Sequence, residues 1–232
     1  MRVIIHGTGT MSGLLKKAVE STEDFTVTGF ADELTSETGD VIISFSHFSR
    51  IPALLSFAKE KKIPLLVATT GYSPDDLERM KKAGEEIPLL LASNVSLGIN
   101  VLVKVIKAIT PILYDTFDIE IVEKHHNKKL DAPSGTAKTL AEAAASVIPH
   151  GAAQVYGRSG NKKREKYEIG VSALRGGTIA GEHAVFYCGD DEIIEIKHTA
   201  MSKNIFVRGA LAAARILVQK EPGFYTMEEI LS

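Results

Sequence analysis

Between residues 123 and 137 the chain reads EKHHNKKLDAPSGTA, gathering two adjacent histidines, a pair of lysines, an acid and a small-residue turn. An imidazole titrates near neutrality and can hand over a proton, and Lys128 and Lys129 add positive charge beside His125 and His126. Ser134 stands where a helix would open. The amides of Gly135 and Thr136 that follow it, with the Thr136 hydroxyl, then form a cradle for a carboxylate or phosphate. Hydride transfer to an anionic small molecule, followed by protonation, is the chemistry that suits such a set. Two other readings compete with it. A metal would want chelating spacing, but neighbouring histidines rarely ligate one ion, neither H-x-x-x-H nor H-E-x-x-H occurs, and cysteine ligands are not at hand. Alternatively, both histidines are ordinary solvated side chains.

A second group of residues opens the chain. GTGTMS places Gly7 and Gly9 directly after the β-branched run RVII, with Ser12 where the dinucleotide fingerprint G-x-G-x-x-G has its third glycine. The first glycine allows a tight turn, and the second lets backbone amides approach a pyrophosphate at a helix N-terminus. Asp32 ends the next strand-like run about 20 residues on, as a ribose-binding acid should. Glu33 follows it, and no Arg or Lys adjoins the two along the chain. Two carboxylates would repel a ribose phosphate, which favours NADH over NADPH, although backbone and hydroxyl donors can also hold a phosphate.

These residues need elements to hold them. RVII, FTVTGFAD, DVIISFS, IPLLVATTG and IPLLLAS read as short apolar strands separated by helical stretches, which implies a parallel sheet with helices on both faces. Ser49 is placed to cap the helix containing Pro52, and Ser73-Pro74-Asp75-Asp76 opens another that closes at Lys81, Lys82 and Gly84. Near Asn94 the pattern changes. A long apolar helix, the strand DIEIVEKHH and an alanine-rich helix follow, and then YEIGVSALRGG, HAVFYCG and IIEIKHTA read as antiparallel strands, the last two joined at GDDE. If DIEIVEKHH is extended, Ile119, Ile121, Glu123 and His125 share one face and His126 points the other way. Two domains are expected, divided near Asn94, with a terminal helix that could join either.

Composition narrows the classes of function. A net charge of −2 argues against a nucleic-acid binder, and the basic segment GRSGNKKREKYE lacks interleaved aromatics, so it reads as a solvated loop. No run reaches membrane-spanning length, and the opening apolar stretch is too brief for a signal peptide. The single cysteine, Cys188, permits no internal disulfide. A cytoplasmic protein is expected.

The segment EKHHNKKLDAPSGTA resembles the signature of the dihydrodipicolinate reductases, E-x-H-H-x-x-K-x-D-A-P-S-G-T-A, at every fixed position. ATTG, ASNVSLGIN, IGVSALRGGTIAGEH and a late GAL agree with the same family in order, so the resemblance spans the chain. It implies an α/β fold: an N-terminal Rossmann-like doubly wound parallel sheet, plus a smaller α+β domain with a mixed sheet for substrate binding and oligomerisation. Residues 1–94 with the C-terminal helix, about 205–232, would form the dinucleotide domain, and 95–204 the other. It further implies NADH or NADPH as cofactor, a cyclic dicarboxylate substrate, hinge closure and a homotetramer, without nucleic-acid, membrane or metal partners.

By matched position the family makes His125 the proton donor and Lys129 its catalytic partner. His126, Ser134, Gly135 and Thr136 would hold a substrate carboxylate. Gly7, Thr8, Gly9, Thr10, Met11 and Ser12 would lie against the pyrophosphate and Asp32 on the ribose. Ala68, Thr69, Thr70 and Gly71, with Ala92, Ser93, Asn94 and Val95, would lie near the nicotinamide. Arg175 and His183 would support the domain interface or the substrate site, or serve structure alone; His47 follows the third strand, where nucleotide crevices open and a cofactor could touch it. The chain departs from the family in a short segment between Asp32 and Asp40, in Ser12 in place of a glycine, and in Lys203 where arginine is common.

Overall fold

Strand and helix alternate through the N-terminal part: β1 (Arg2–His6), α1 (Thr10–Glu20), β2 (Thr26–Ala31), β3 (Val41–Ser44), α2 (Ile51–Lys61), β4 (Leu65–Val67), α3 (Pro74–Gly84) and β5 (Pro88–Leu91). Then come α4 (Leu97–Leu113), β6 (Asp118–His125), α5 (Gly135–Ala145), β7 (Ala153–Tyr156), β8 (Glu168–Arg175), β9 (Glu182–Gly189) and β10 (Glu192–Thr199). The chain closes with α6 (Asn204–Leu217), β11 (Gly223–Tyr225) and α7 (Met227–Ile230). The structure is a computed structural model describing Met1–Ser232. It divides into two units, Met1–Leu97 with Asn204–Ser232, and Gly98–Lys203. No helix is long and apolar enough to cross a membrane.

In the first unit six strands pair in the order β11-β5-β4-β3-β1-β2, and every pairing is parallel. Parallel strands joined by crossover helices are covered on both faces, and the period-two alternation shows how. Val3, Ile5, Val41, Ile43, Leu66 and Leu90 pack with Leu15 and Val19 of α1 and Val207, Ala210 and Ala214 of α6. Ile4, Ile42, Leu65, Val67 and Leu89 pack instead with Leu54, Leu55 and Ala58 of α2 and Met80 and Ala83 of α3. The sheet is doubly wound, as the sequence predicts. β11 was not foreseen, because GFY is too short to show an alternation; its register with Pro88–Leu90 of β5 makes it a strand.

Helix ends follow local chemistry. α3 opens on the expected capping box: the Ser73 hydroxyl accepts from the Asp76 amide, and the Asp76 carboxylate from that of Ser73. The expected Ser49 cap is corrected. Phe48–Arg50 form a tight 3-10 turn whose cap is His47, with its ring nitrogen facing the Ser49 amide at 3.3 Å, and Arg50 leads into α2. In α6, Gly209 is where the helix meets the backbone at Val95; a Cβ there would run into the Val95 carbonyl.

The second unit holds a mixed sheet in the order β10-β9-β6-β8-β7. β9 and β10 form the expected antiparallel hairpin around Asp190 and Asp191, with Asp191 at φ 62°. β8, however, does not pair with β9. It runs parallel to both β6 and β7, and β6 lies between β8 and β9. Alternation reveals which face of a strand is buried, not which strand lies beside it. One sheet face, with Ile119, Ile121, Ile169, Val171, Val185 and Tyr187, is packed by Leu102 and Ile106 of α4 and Leu140, Ala141 and Ala144 of α5. The basic loop after β7 is not simply solvated: Arg158 pairs with Glu168, Arg164 with Asp118 and Glu120, and Lys166 with Asp115.

Candidate active site

Burial along β6 follows the strand period. Ile119 and Ile121 point into the core, and Glu123, next on that face, is 0% exposed. A carboxylate so placed must be paired, and every acceptor direction is used. Arg175 donates through Nη1 to Oε2 and through Nη2 to Oε1, both at 2.7 Å. The Ser134 amide donates to Oε1 at 2.9 Å, and His125 Nδ1 lies 2.6 Å from Oε2. Burial alone would push the Glu123 carboxyl up; the hydrogen bonds from Arg175, His125 and Ser134 outweigh it and hold the group below its ordinary range. His125 thus has Nδ1 occupied while Nε2 faces Gly181, where a Cβ would stand 3.1 Å from that nitrogen.

Ser134 ties this centre to the helix behind it. Its hydroxyl accepts from the Ala137 amide at 3.1 Å, capping α5, and meets His183 Nε2 at 3.0 Å. Only 2% of Ser134 is exposed, so its hydroxyl builds the helix start, and Gly135 and Thr136 form the first residues beyond it. The His183 ring stands edge-on to His125 at 5.2 Å. Burial, then the charge of His125, lowers His183 to about 4, so it is neutral at physiological pH. Lys129 pairs with Asp131 at 2.7 Å and is near enough to His183 for its charge to act on that ring. His126 is partly buried, and its Nδ1 has no partner in the protein. A cavity of about 330 Å³ lies at the other end of β6, around Tyr114, Arg164 and Tyr167, and includes none of these residues.

The sequence alone assigns Glu123 no role, although the strand alternation puts it on the His125 face, and it leaves Arg175 and His183 undecided. A buried acid two residues before a histidine on one strand is the signal that was present. What supplies its partners is register, since β8 sets Arg175 opposite His125 and β9 sets His183 opposite Glu123.

In the first unit the carboxyl ends of β1, β3, β4 and β5 share one edge, so the loops after His6, Ser44, Val67 and Leu91 come together where the strand order reverses around β1. Gly7 has φ 109°, and a Cβ on it would meet the Ser12 hydroxyl at 2.9 Å and the Ser46 amide at 3.1 Å. Gly9 caps α1 with open space around it and no side-chain bond to the amides of Thr10, Met11 and Ser12. Ser12 is 0% exposed, and its hydroxyl lacks a protein partner. Glycine space, a helix N-terminus and an unpaired buried hydroxyl fit a pyrophosphate.

Thr8 donates to Asp32 at 2.5 Å, Thr69 donates to the Ser46 carbonyl at 2.8 Å, and Gly71 takes φ 91°. Ala68 and Ala92 donate from their amides to Ser44 and Val67, extending the strand edge, while the Asn94 carboxamide accepts from the Ser96 amide. Thr70, Ser93 and Val95 lie in the same two loops. The surroundings of Asp32 and Glu33 differ from the expectation. No cation adjoins Asp32 and Glu33 along the chain, yet Arg50 reaches both in space, 4.0 Å from the Asp32 carboxylate and 3.5 Å from that of Glu33. Arg50, Asp32, Leu34, Leu54 and Phe57 line a cavity of about 360 Å³.

A doubly wound sheet with a glycine turn at its switch point, and an imidazole–carboxylate centre on a mixed sheet, define an oxidoreductase of the two-domain nicotinamide class. The dihydrodipicolinate reductase N-terminus family model matches residues 30–95, and the C-terminus model matches residues 98–231. The chain is 46% identical over 232 residues to the 4-hydroxy-tetrahydrodipicolinate reductase of Brachyspira hyodysenteriae, covering 100% of both chains. It is 43% identical to that of Caldanaerobacter subterraneus, covering 100% of this chain and 98% of the relative. A dipicolinate-bound dihydrodipicolinate reductase from Paenisporosarcina sp. TG-14 superposes with a TM-score of 0.79 over 97% of each chain at 18% identity, a likeness of fold. The chain belongs to the dihydrodipicolinate reductase family.

Proposed function

We propose that this protein reduces dihydrodipicolinate, formed from 4-hydroxy-tetrahydrodipicolinate, to tetrahydrodipicolinate with NAD(P)H, in diaminopimelate and lysine biosynthesis. The observation that carries the reading is the junction at the end of β6, which brings together an imidazole held at Nδ1, the capped start of α5 and a lysine whose charge reaches the neighbouring His183 ring. A bound nicotinamide supplies the hydride. His125 gives the proton from Nε2 to the electron-rich ring carbon that results. Lys129 brings a positive charge to the anionic substrate and assists that transfer. Gly135 and Thr136, at the positive end of α5, receive a carboxylate, with His126 as a further donor, and Ser134 keeps the helix start in place. A dicarboxylate suits a site with this much positive potential.

The first unit serves as the dinucleotide domain. Gly7 through Ser12 take the pyrophosphate and Asp32 the ribose, and the loops at 68–71 and 92–95 take the nicotinamide end. The two carboxylates at Asp32 and Glu33 favour NADH, while Arg50 offers a cation to a ribose phosphate, so both cofactors are used. The second unit is the substrate and oligomerisation domain. Its β10 carries Ile193, 66% exposed, on the sheet face not packed by α4 and α5, which suits association of sheets into a homotetramer. The protein works in the cytoplasm.

A coupled assay tests the reading. An upstream synthase makes substrate from pyruvate and aspartate semialdehyde, and oxidation of NADH and NADPH is followed separately. Substrate-dependent oxidation that is lost in His125→Gln is the expected result. Nucleotide binding without turnover in the unaltered protein would refute the substrate assignment.

A further inference from the structure

We infer that Glu123 and Arg175 are a positioning pair that fixes the proton of His125 on Nδ1, so that Nε2 is the nitrogen exposed to substrate. The inference rests on His125 as proton donor and adds what makes it one. A carboxylate offers about four acceptor directions. On Glu123 these are filled by Arg175 Nη1, Arg175 Nη2, the Ser134 amide and His125 Nδ1. The first three are obligate donors, and no direction is left for a proton on the carboxyl group itself. Nδ1 must therefore carry hydrogen in both protonation states of the ring, so neutral His125 has its lone pair on Nε2.

Only the imidazolium form can donate from Nε2. In the transfer the Nε2–H bond breaks, its electron pair stays on the nitrogen, and the proton joins the ring carbon bearing the electron pair left by reduction. The Nδ1–H bond to Glu123 persists throughout, and water returns a proton to Nε2 afterwards. Arg175 keeps the carboxyl ionised beside the imidazolium, since its two 2.7 Å bonds offset the burial that would otherwise neutralise Glu123. Gly181 leaves Nε2 uncovered, as any side chain there would crowd it at 3.1 Å.

The experiment combines spectroscopy and kinetics. Nitrogen-15 histidine spectra at alkaline pH, with the His125 signals assigned by their loss in His125→Gln, are expected to show neutral His125 protonated on Nδ1. A neutral ring protonated on Nε2 in the unaltered protein would overturn the proposal, and this measurement needs no folded variant at position 123. In Glu123→Gln the side-chain NH₂ confronts two donors whichever way the amide turns, and the carboxylate charge is gone, so Nδ1–H loses its ionised acceptor and is held weakly or not at all. The expected outcome is a kcat lower by about 100-fold or more with the substrate KM within about threefold, in protein whose circular dichroism is unchanged. Wild-type kcat in folded Glu123→Gln, with His125→Gln inactive, would sink the positioning role alone. Activity retained in His125→Gln would instead sink the reading beneath it.

Discussion

Asp32 and Glu123 both sit at the ends of strands and both meet an arginine, yet they are built to opposite rules. Asp32 is half exposed, bonded to one threonine hydroxyl, with Arg50 no nearer than 4.0 Å to its carboxylate. Glu123 is fully buried under four donors, two of them from Arg175. The contrast follows what each location must do. On the proposed assignment Asp32 receives the ribose of a cofactor that enters and leaves, and exposed groups that trade partners easily with water suit that task. His125, proposed as the proton donor, would need one orientation, and a buried charged pair supplies it because any other arrangement leaves a charge unsatisfied.

The largest effect expected from that contrast is on stability. Arg175→Met leaves Glu123 buried without its ion pair and should cost about 3–5 kcal/mol in urea unfolding. Asp32→Asn, at an exposed site, should stay within about 0.5 kcal/mol. Equal losses in the two variants would break the comparison.

The pH dependence of stability sharpens it. His183 accepts a proton near 6.5 when unfolded but only near 4 when folded. The unfolded chain therefore binds more protons in that window, and stability falls as pH drops from 6.5 to 4, by about 3 kcal/mol. His6 and His198, lowered by burial, act in the same sense. Glu123, held below its ordinary value, removes further stability as pH falls through its folded value. Unfolding free energies measured across this range should show the slope, and His183→Gln should flatten it.

Smaller effects belong to the exposed site. Arg50→Met should lower kcat/KM with NADPH about tenfold and leave that with NADH near its starting value; an equal change in both would remove Arg50 from phosphate recognition. Least of all, Ser73→Ala should cost about 1 kcal/mol in urea unfolding by opening the cap of α3.

Much of this protein is readable along the chain, because the forces concerned are local. A β-branched alternation of Val3, Ile4 and Ile5 needs only its own neighbours to be a strand, and the Ser73–Asp76 box acts within one helical turn. The glycine turn at Gly7 and the histidine junction at His125 were likewise visible as residue types at fixed spacing, and the class of chemistry with them. Tertiary structure decided which residues complete those sites. β8 lies parallel against β6 instead of turning back onto β9, and that choice delivers Arg175 to Glu123 across 52 positions of sequence. Arg50 joins Asp32 and Glu33 because β2 and β3 run parallel on either side of β1 and end at the same edge of the sheet, and β11 becomes a strand only by finding the open edge of β5. A strand's own pattern records which of its faces is buried. Its neighbour is chosen by the packing of the whole sheet, where hydrogen bonds between distant segments outweigh anything either segment carries alone.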